Sequence, residues 1–166
     1  MTEDEVFESI RVYAANAGLV PASPEAVAEA ERVIGHSLPP LLRRLYLEVA
    51  NGGFGPRRSV LGVSGAPWMG GNATDLVDGY EGFKSDPDRV HPAGVVPLFE
   101  LGCAIWWLVD CRDPAGPMWG WDPHGCCLGH ALSPQGLTLA EWLAESIDGR
   151  DPRPVTDVEP PAGPCS

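Results

Sequence analysis

Apolar residues recur with helical spacing along the first fifty positions. Val6, Ile10, Tyr13 and Ala17 share one face of a segment that Thr2 and Glu5 cap at its start and Gly18 stops. Ser23-Pro24-Glu25 opens a second helix with a cap, a first-turn proline and an early acid in order; Val27, Ala30 and Ile34 form its stripe before Gly35. Leu42, Leu45, Tyr46 and Val49 repeat at i, i+3, i+4 and i+7 in a third helix, with Pro39 in the first turn, where a missing N–H costs nothing. Asn51-Gly52-Gly53 follows, and these residue types accept the left-handed backbone on which a helix closes.

After Gly53 the pattern turns strand-like. Arg58 to Val63, Val95 to Phe99, Cys103 to Val109, Met118 to Trp121 and Cys126 to Leu132 read as about five strands of an antiparallel meander, with Gly-Pro and Asp-Pro pairs at the turns. Thr138 and Glu141 form a second capping box, opening a helix with Leu139, Trp142, Leu143 and Ile147 on one side and Gly149 as its stop. Helices, then a sheet, then a closing helix predict an α+β fold. A single domain spans 1–150, with 1–22 as an N-terminal helical addition. Pro152, Pro154, Pro160, Pro161 and Pro164 make 151–166 a proline-rich tail.

The order of these parts resembles the SUKH superfamily, which includes fungal cell-wall-synthesis regulators and bacterial toxin-immunity proteins. The matching positions are Glu31 and Gly35, Leu38-Pro39 before the third helix and Asn51-Gly52-Gly53 after it. Val96-Pro97-Leu98-Phe99 with Gly102, the strand ending at Asp110, Trp119-Gly120-Trp121-Asp122 and the segment from Leu137 to Gly149 complete the likeness, which runs from about residue 24 to about residue 149. The chain departs from it at Asp122-Pro123-His124, where members often carry an Asp-His pair. The resemblance implies a non-enzymatic protein-binding domain, with Leu38, Pro39, Asn51, Gly52, Gly53 and Gly102 as structural positions.

Charge narrows the partner. With 23 acidic against 11 basic residues the net charge is −12, so the chain repels a phosphate backbone and nucleic acid is not an expected ligand. An acidic surface steers association toward basic partners; it also serves simply as a solvated, soluble face. The acidic start Met1-Thr2-Glu3-Asp4-Glu5 is unlike a signal peptide, and no apolar run has the roughly 20 residues a membrane span needs, so a cytoplasmic protein without membrane contact is expected.

The stretch from Ser64 to Gly94 is long for a loop in a compact domain and is the first place to look for a specific function. Leu76, Tyr80 and Phe83 suggest a short helix after Thr74, although Gly79 and Gly82 weaken it. Asp75, Asp78, Glu81, Asp86 and Asp88 stand against the single Lys84 and make a candidate docking patch. Strand alternation sends Trp106 and Trp107 to opposite faces and Trp119 and Trp121 to a shared one. An open aromatic sheet face, with Asp110 and Asp122 nearby, would anchor a partner; helices covering both faces would make the same rings core.

Catalytic chemistry is thinly represented. Five cysteines, Cys103, Cys111, Cys126, Cys127 and Cys165, read as free thiols. His124, Cys126, Cys127 and His130 with Cys111 are a poor metal set, because adjacent cysteines on a strand diverge. No cofactor or metal is expected, and no nucleophile elbow, phosphate loop or metalloprotease helix occurs. The leading expectation is an immunity protein neutralising a basic, possibly nuclease, toxin domain. A housekeeping scaffold or regulator of the same fold is the alternative, and a small thiol- or metal-dependent enzyme the competing class. Oligomeric state is not legible.

Overall fold

The computed structural model describes residues 1–68, 70–89, 91–124, 131–150 and 153–154. Five helices, α1 (Glu3–Ala17), α2 (Pro24–Ile34), α3 (Pro40–Glu48), α4 (Leu76–Ser85) and α5 (Leu139–Ile147), surround four strands, β1 (Val95–Gly102), β2 (Ile105–Asp110), β3 (Pro117–Trp121) and β4 (Leu132–Thr138). The strands form one antiparallel meander in the order β1-β2-β3-β4. The fold is α+β, with four strands among the described residues rather than about five.

Helix boundaries follow local chemistry. Thr2 with Glu5 and Thr138 with Glu141 both form reciprocal capping boxes, and Ser23 Oγ accepts from Ala26 N–H. Gly18 and Gly35 close α1 and α2 in the left-handed conformation. In α1 the buried stripe is Val6, Phe7, Ile10 and Ala14; Tyr13 is half-buried and Ala17 exposed. Pro40, not Pro39, takes the first-turn position of α3, and Pro39 is its N-cap.

The expected strand from Arg58 to Val63 does not form. Pro56–Arg58 is a single 3-10 turn in which Arg57 and Arg58 hold φ of 50° and 58°, outside any extended region. The segment after it spreads its hydrogen bonds over several elements. Gly53 N–H donates to Val60 O at 3.0 Å, Leu61 N–H to Leu98 O of β1 at 2.9 Å, Val63 N–H to Asn51 Oδ1 at 2.8 Å, and Leu76 N–H to Gly62 O at 2.8 Å. The Tyr46 hydroxyl donates to Leu61 O. Val60, Leu61 and Val63 are buried all the same, so their apolar character reports core, not a ladder.

Two further boundaries move. Cys103 and Ala104, expected within a strand, are the two residues of the β1–β2 turn, with φ of 52° and 60°. The last strand is Leu132–Thr138 rather than a segment ending at Leu132. Its Pro134 and Gly136 read locally as turn residues; Pro134 pairs with Trp119 of β3 all the same, while Gly136, at φ 68°, sits in a register shift of the β3–β4 ladder. Residues 125–130, where the expected strand began, lie outside the described set. So does the tail apart from 153–154, where Pro154 is buried against Gly120 of β3.

Helices wall the sheet on both faces. Phe83 of α4 meets Trp106 and Trp121 edge-on, with centroids 5.7 and 5.6 Å away. Trp142 of α5 meets Trp107 and Phe99 at 5.7 and 6.2 Å on the other side. Asn51→Ala strands the buried Val63 N–H and is expected to lower unfolding free energy by about 2 kcal/mol in urea titration. Gly52→Ala should cost more, because φ is 82° there and a Cβ would lie 2.6 Å from Gly62 N.

Candidate partner-binding site

The acidic stretch folds as an apolar-backed helix with carboxylates outside. Leu76, Gly79, Tyr80 and Phe83 face inward, and Gly79, a weak helix former, sits where a Cβ would press on Pro97 of β1 at 3.2 Å. Asp75 is the N-cap, its Oδ1 accepting from the N–H of Val77 and of Asp78, each at 2.9 Å. Asp78 reaches back to Thr74 N–H at 2.9 Å. Negative charge at a helix start is favoured by the helix dipole, so these two acids build the helix as well as charge it. Asp86 ends α4, pairs with Arg89 at 3.1 Å and accepts from Asp88 N–H at 3.0 Å. Glu81 and Asp88 are exposed. Asp78, Glu81 and Lys84 border a shallow, open depression on the solvent side of the helix.

The tryptophans of the sheet divide as alternation predicts, yet they do not make an open face. Trp106, Trp107 and Trp121 are 2%, 1% and 1% exposed. They are core, because α4 and α5 each bring an aromatic ring onto one side of the sheet. Trp119 is half-buried and hydrogen-bonds through its side chain to Asp110. Asp110 is buried as well, its oxygens taking Arg112 Nε at 2.8 Å and a terminal guanidinium nitrogen at 2.6 Å. Hydrogen bonding from Arg112, which outweighs the opposing effect of burial, holds the Asp110 carboxyl below its ordinary range.

Asp122 is half-buried and accepts from His124 N–H at 2.9 Å, while His124 Nε2 lies 2.7 Å from Cys103 O. The Asp122-Pro123-His124 turn therefore braces the β1–β2 turn. Both central residues of that two-residue turn are left-handed without being glycine or asparagine.

Trp68 was not among the residues the sequence pattern singled out. It lies in the Gly-rich part of the excursion and is 68% exposed. The available signal was its setting: a large aromatic ring in a stretch of Gly, Pro and Ser with no helical stripe to join. The loop around it is tethered. Glu100 on β1 accepts from Asn72 N–H at 2.7 Å and from Asn72 Nδ2 at 2.8 Å. A cleft of about 220 Å³ runs between this loop and the β1 edge, with Arg57, Gly71 and Glu100 among its walls.

Redox and metal chemistry gain little from the geometry. Burial, reinforced by the Asp110 and Glu31 carboxylates, pushes the Cys111 thiol up to about 12, so it stays protonated near neutral pH. Among the described residues no group of three or more His, Cys, Asp or Glu is placed to hold a metal ion. Cys126, Cys127, His130 and Cys165 lie outside them. No described helix is long and apolar enough to cross a membrane.

A four-stranded meander enclosed between helices, preceded by a helix that exits through Asn-Gly-Gly, defines a helix-first α+β domain of the SUKH type. The chain belongs to the SMI1 / KNR4 family (SUKH-1), whose family model matches residues 21–145. Neither a curated protein nor a solved structure matches it.

The Asp110 carboxyl is lowered on folding, so its contribution is complete above the unfolded value near 3.8 and is lost as pH falls through the lower folded value. Asp110→Asn should therefore flatten the dependence of stability on pH below about pH 4, as followed by chemical denaturation across that range. In the β1–β2 turn, Cys103→Asn with Ala104→Gly should raise stability by about 1–2 kcal/mol by removing left-handed strain. An unchanged or lower midpoint would contradict the strain argument.

Proposed function

We propose that the chain is a non-catalytic protein-binding domain that acts in the cytoplasm as an immunity protein, neutralising a toxin domain of basic character, with a nuclease as the favoured kind. The observation that carries this reading is Trp68, a large rigid ring left 68% exposed on a loop tethered through Glu100. It lies in the same excursion as the solvent-facing carboxylates of Asp78 and Glu81. Aromatic anchors with a charged rim are the usual make-up of an interface hot spot. Family membership supports a binding role, and net charge −12 supports a cationic partner. Asp86 contributes field rather than direct contact, since both its oxygens are occupied locally, whereas the cap on α4 engages only Oδ1 of Asp75. Asp88 and Asp122 stand at the margin. With Trp106, Trp107 and Trp121 buried, the anchor is assigned to Trp68, with half-buried Trp119 outside it.

The test uses a toxin-like domain encoded beside this chain. Co-expression with the native chain should restore growth, and co-expression with a Trp68→Ala, Asp78→Asn, Glu81→Gln variant should not. In surface plasmon resonance, Trp68→Ala should weaken binding by about 2 kcal/mol. The native association rate should fall about tenfold from low to high salt. A rate indifferent to salt, with full protection by the triple variant, would remove this surface from the mechanism.

A further inference from the structure

On the other side of the sheet from α4, a groove of about 260 Å³ lies between α1, α5 and the 3-10 turn. Ser9, Ile10 and Tyr13 line it from α1, Ser146 and Ile147 from α5, and Arg58 from the turn. Ile10 is buried and forms part of its floor, whereas Ile147 is 38% exposed and forms an apolar wall. The Ser146 hydroxyl bonds to no described residue.

Arg58 differs from most of the arginines. Arg11, Arg32, Arg43, Arg44, Arg89, Arg112 and Arg150 each pair with a carboxylate. Arg58 has no carboxylate partner among the described residues, although acids outnumber bases two to one in the chain. Its guanidinium instead lies 5.0 Å from the centre of the Tyr13 ring. Its backbone is left-handed, as is that of Arg57 before it, and Arg58 N–H closes the turn by donating to Gly55 O at 3.0 Å. Glycine would adopt that φ freely; arginine does so at a conformational cost, and no internal ion pair offsets it.

We infer that this groove captures the C-terminal residue of a peptide or protein partner. The free carboxylate lies on the Arg58 guanidinium, whose fork donates to both oxygens, and the Ser146 hydroxyl donates beside it. An aliphatic side chain on the same Cα covers Ile147. A chain terminus is the one peptide unit that carries an aliphatic side chain and a free carboxylate on one Cα, which matches a wall with Ile147 and Arg58 together. An internal Asp or Glu carries its charge on its own short methylene stem, with no second side chain on that Cα to cover Ile147. The volume is below the roughly 300–1,000 Å³ of small-molecule pockets and suits one residue. Arg58 is the one cation among the lining residues, beside Ser9, Tyr13 and Ser146, and a single cation does not neutralise a phosphate dianion. This site shares no lining residue with the cleft beside the Trp68 loop, and its test is independent of toxin binding.

The full chain, isotope-labelled for NMR, is titrated with an acetyl-capped tetrapeptide ending in leucine, with its C-terminal amide, and with an amidated tetrapeptide holding an internal aspartate. The free acid should shift Tyr13, Ser146 and Ile147 resonances saturably, and both amides should bind at least about tenfold more weakly. Arg58→Gly should lose binding while melting no lower than the native chain, because glycine relieves the turn; Arg58→Lys should keep a fraction of the affinity. Equal binding of acid and amide, native affinity in Arg58→Gly, preference for the internal aspartate, or no saturable shift with the free acid would each overturn the assignment.

Discussion

The Asn51 carboxamide joins the helices to the sheet. Its oxygen accepts from Val63 N–H and its nitrogen donates to Ser64 O, while Asn51 N–H bonds Val20 O in the link between α1 and α2. Gly52 and Gly53 let the backbone turn against residues 60–62 closely enough that a Cβ on Gly52 would lie 2.8 Å from Val60 O. The segment so held passes Leu61 N–H to β1 and Gly62 O to α4. One side-chain amide and two glycines thus fix the position of both the sheet edge and the acidic helix. A buried amide with unpaired groups is costly, so this arrangement is strongly favoured over nearby ones.

Ring packing then sets the thickness of the domain. Phe83 touches Trp106, Trp121 and His91 on one side of the sheet, and Trp142 touches Trp107 and Phe99 on the other. Trp106, Trp121 and Trp142 bury indole N–H groups that bond to no described residue. The burial of large aromatic surface outweighs those unpaired donors, each of which costs about 1–3 kcal/mol. The edge of β1 is blunted as well: Leu61 N–H takes Leu98 O, and the Arg57 guanidinium takes Leu101 O at 3.1 Å. An edge occupied in this way resists pairing with another chain.

Much of the chain's negative charge is structural before it is functional. Glu5, Asp75, Asp78 and Glu141 all lie in first turns or caps, where they satisfy N–H groups and the helix dipole. Hydrogen bonds from Thr2 and Thr138 hold the Glu5 and Glu141 carboxyls below their ordinary range. Glu5, Asp78 and Glu141 are exposed, so groups that start helices also produce the field a basic partner would feel. Arg58 is the counterpoint, a cation with no carboxylate partner among the described residues.

The amino-acid order alone determined the helices, the N-caps of α1, α2 and α5 and the α+β class, because capping and apolar stripes act within a few residues. It also carried the family signature and located α4 despite Gly79 and Gly82. Three things were decided only by tertiary structure. The stretch from Arg58 to Val63 has the composition of a strand, but its partners come from four distant places in the chain, so no local pattern could show that it would remain irregular. β4 contains Pro134 and Gly136 and becomes a strand because β3 lies beside it. Whether a tryptophan is core or surface depends on what packs against it: Trp106 and Trp107 were equally suited to both, and only Phe83 and Trp142 buried them. Trp68, with no packing partner of that kind, is left as the exposed ring.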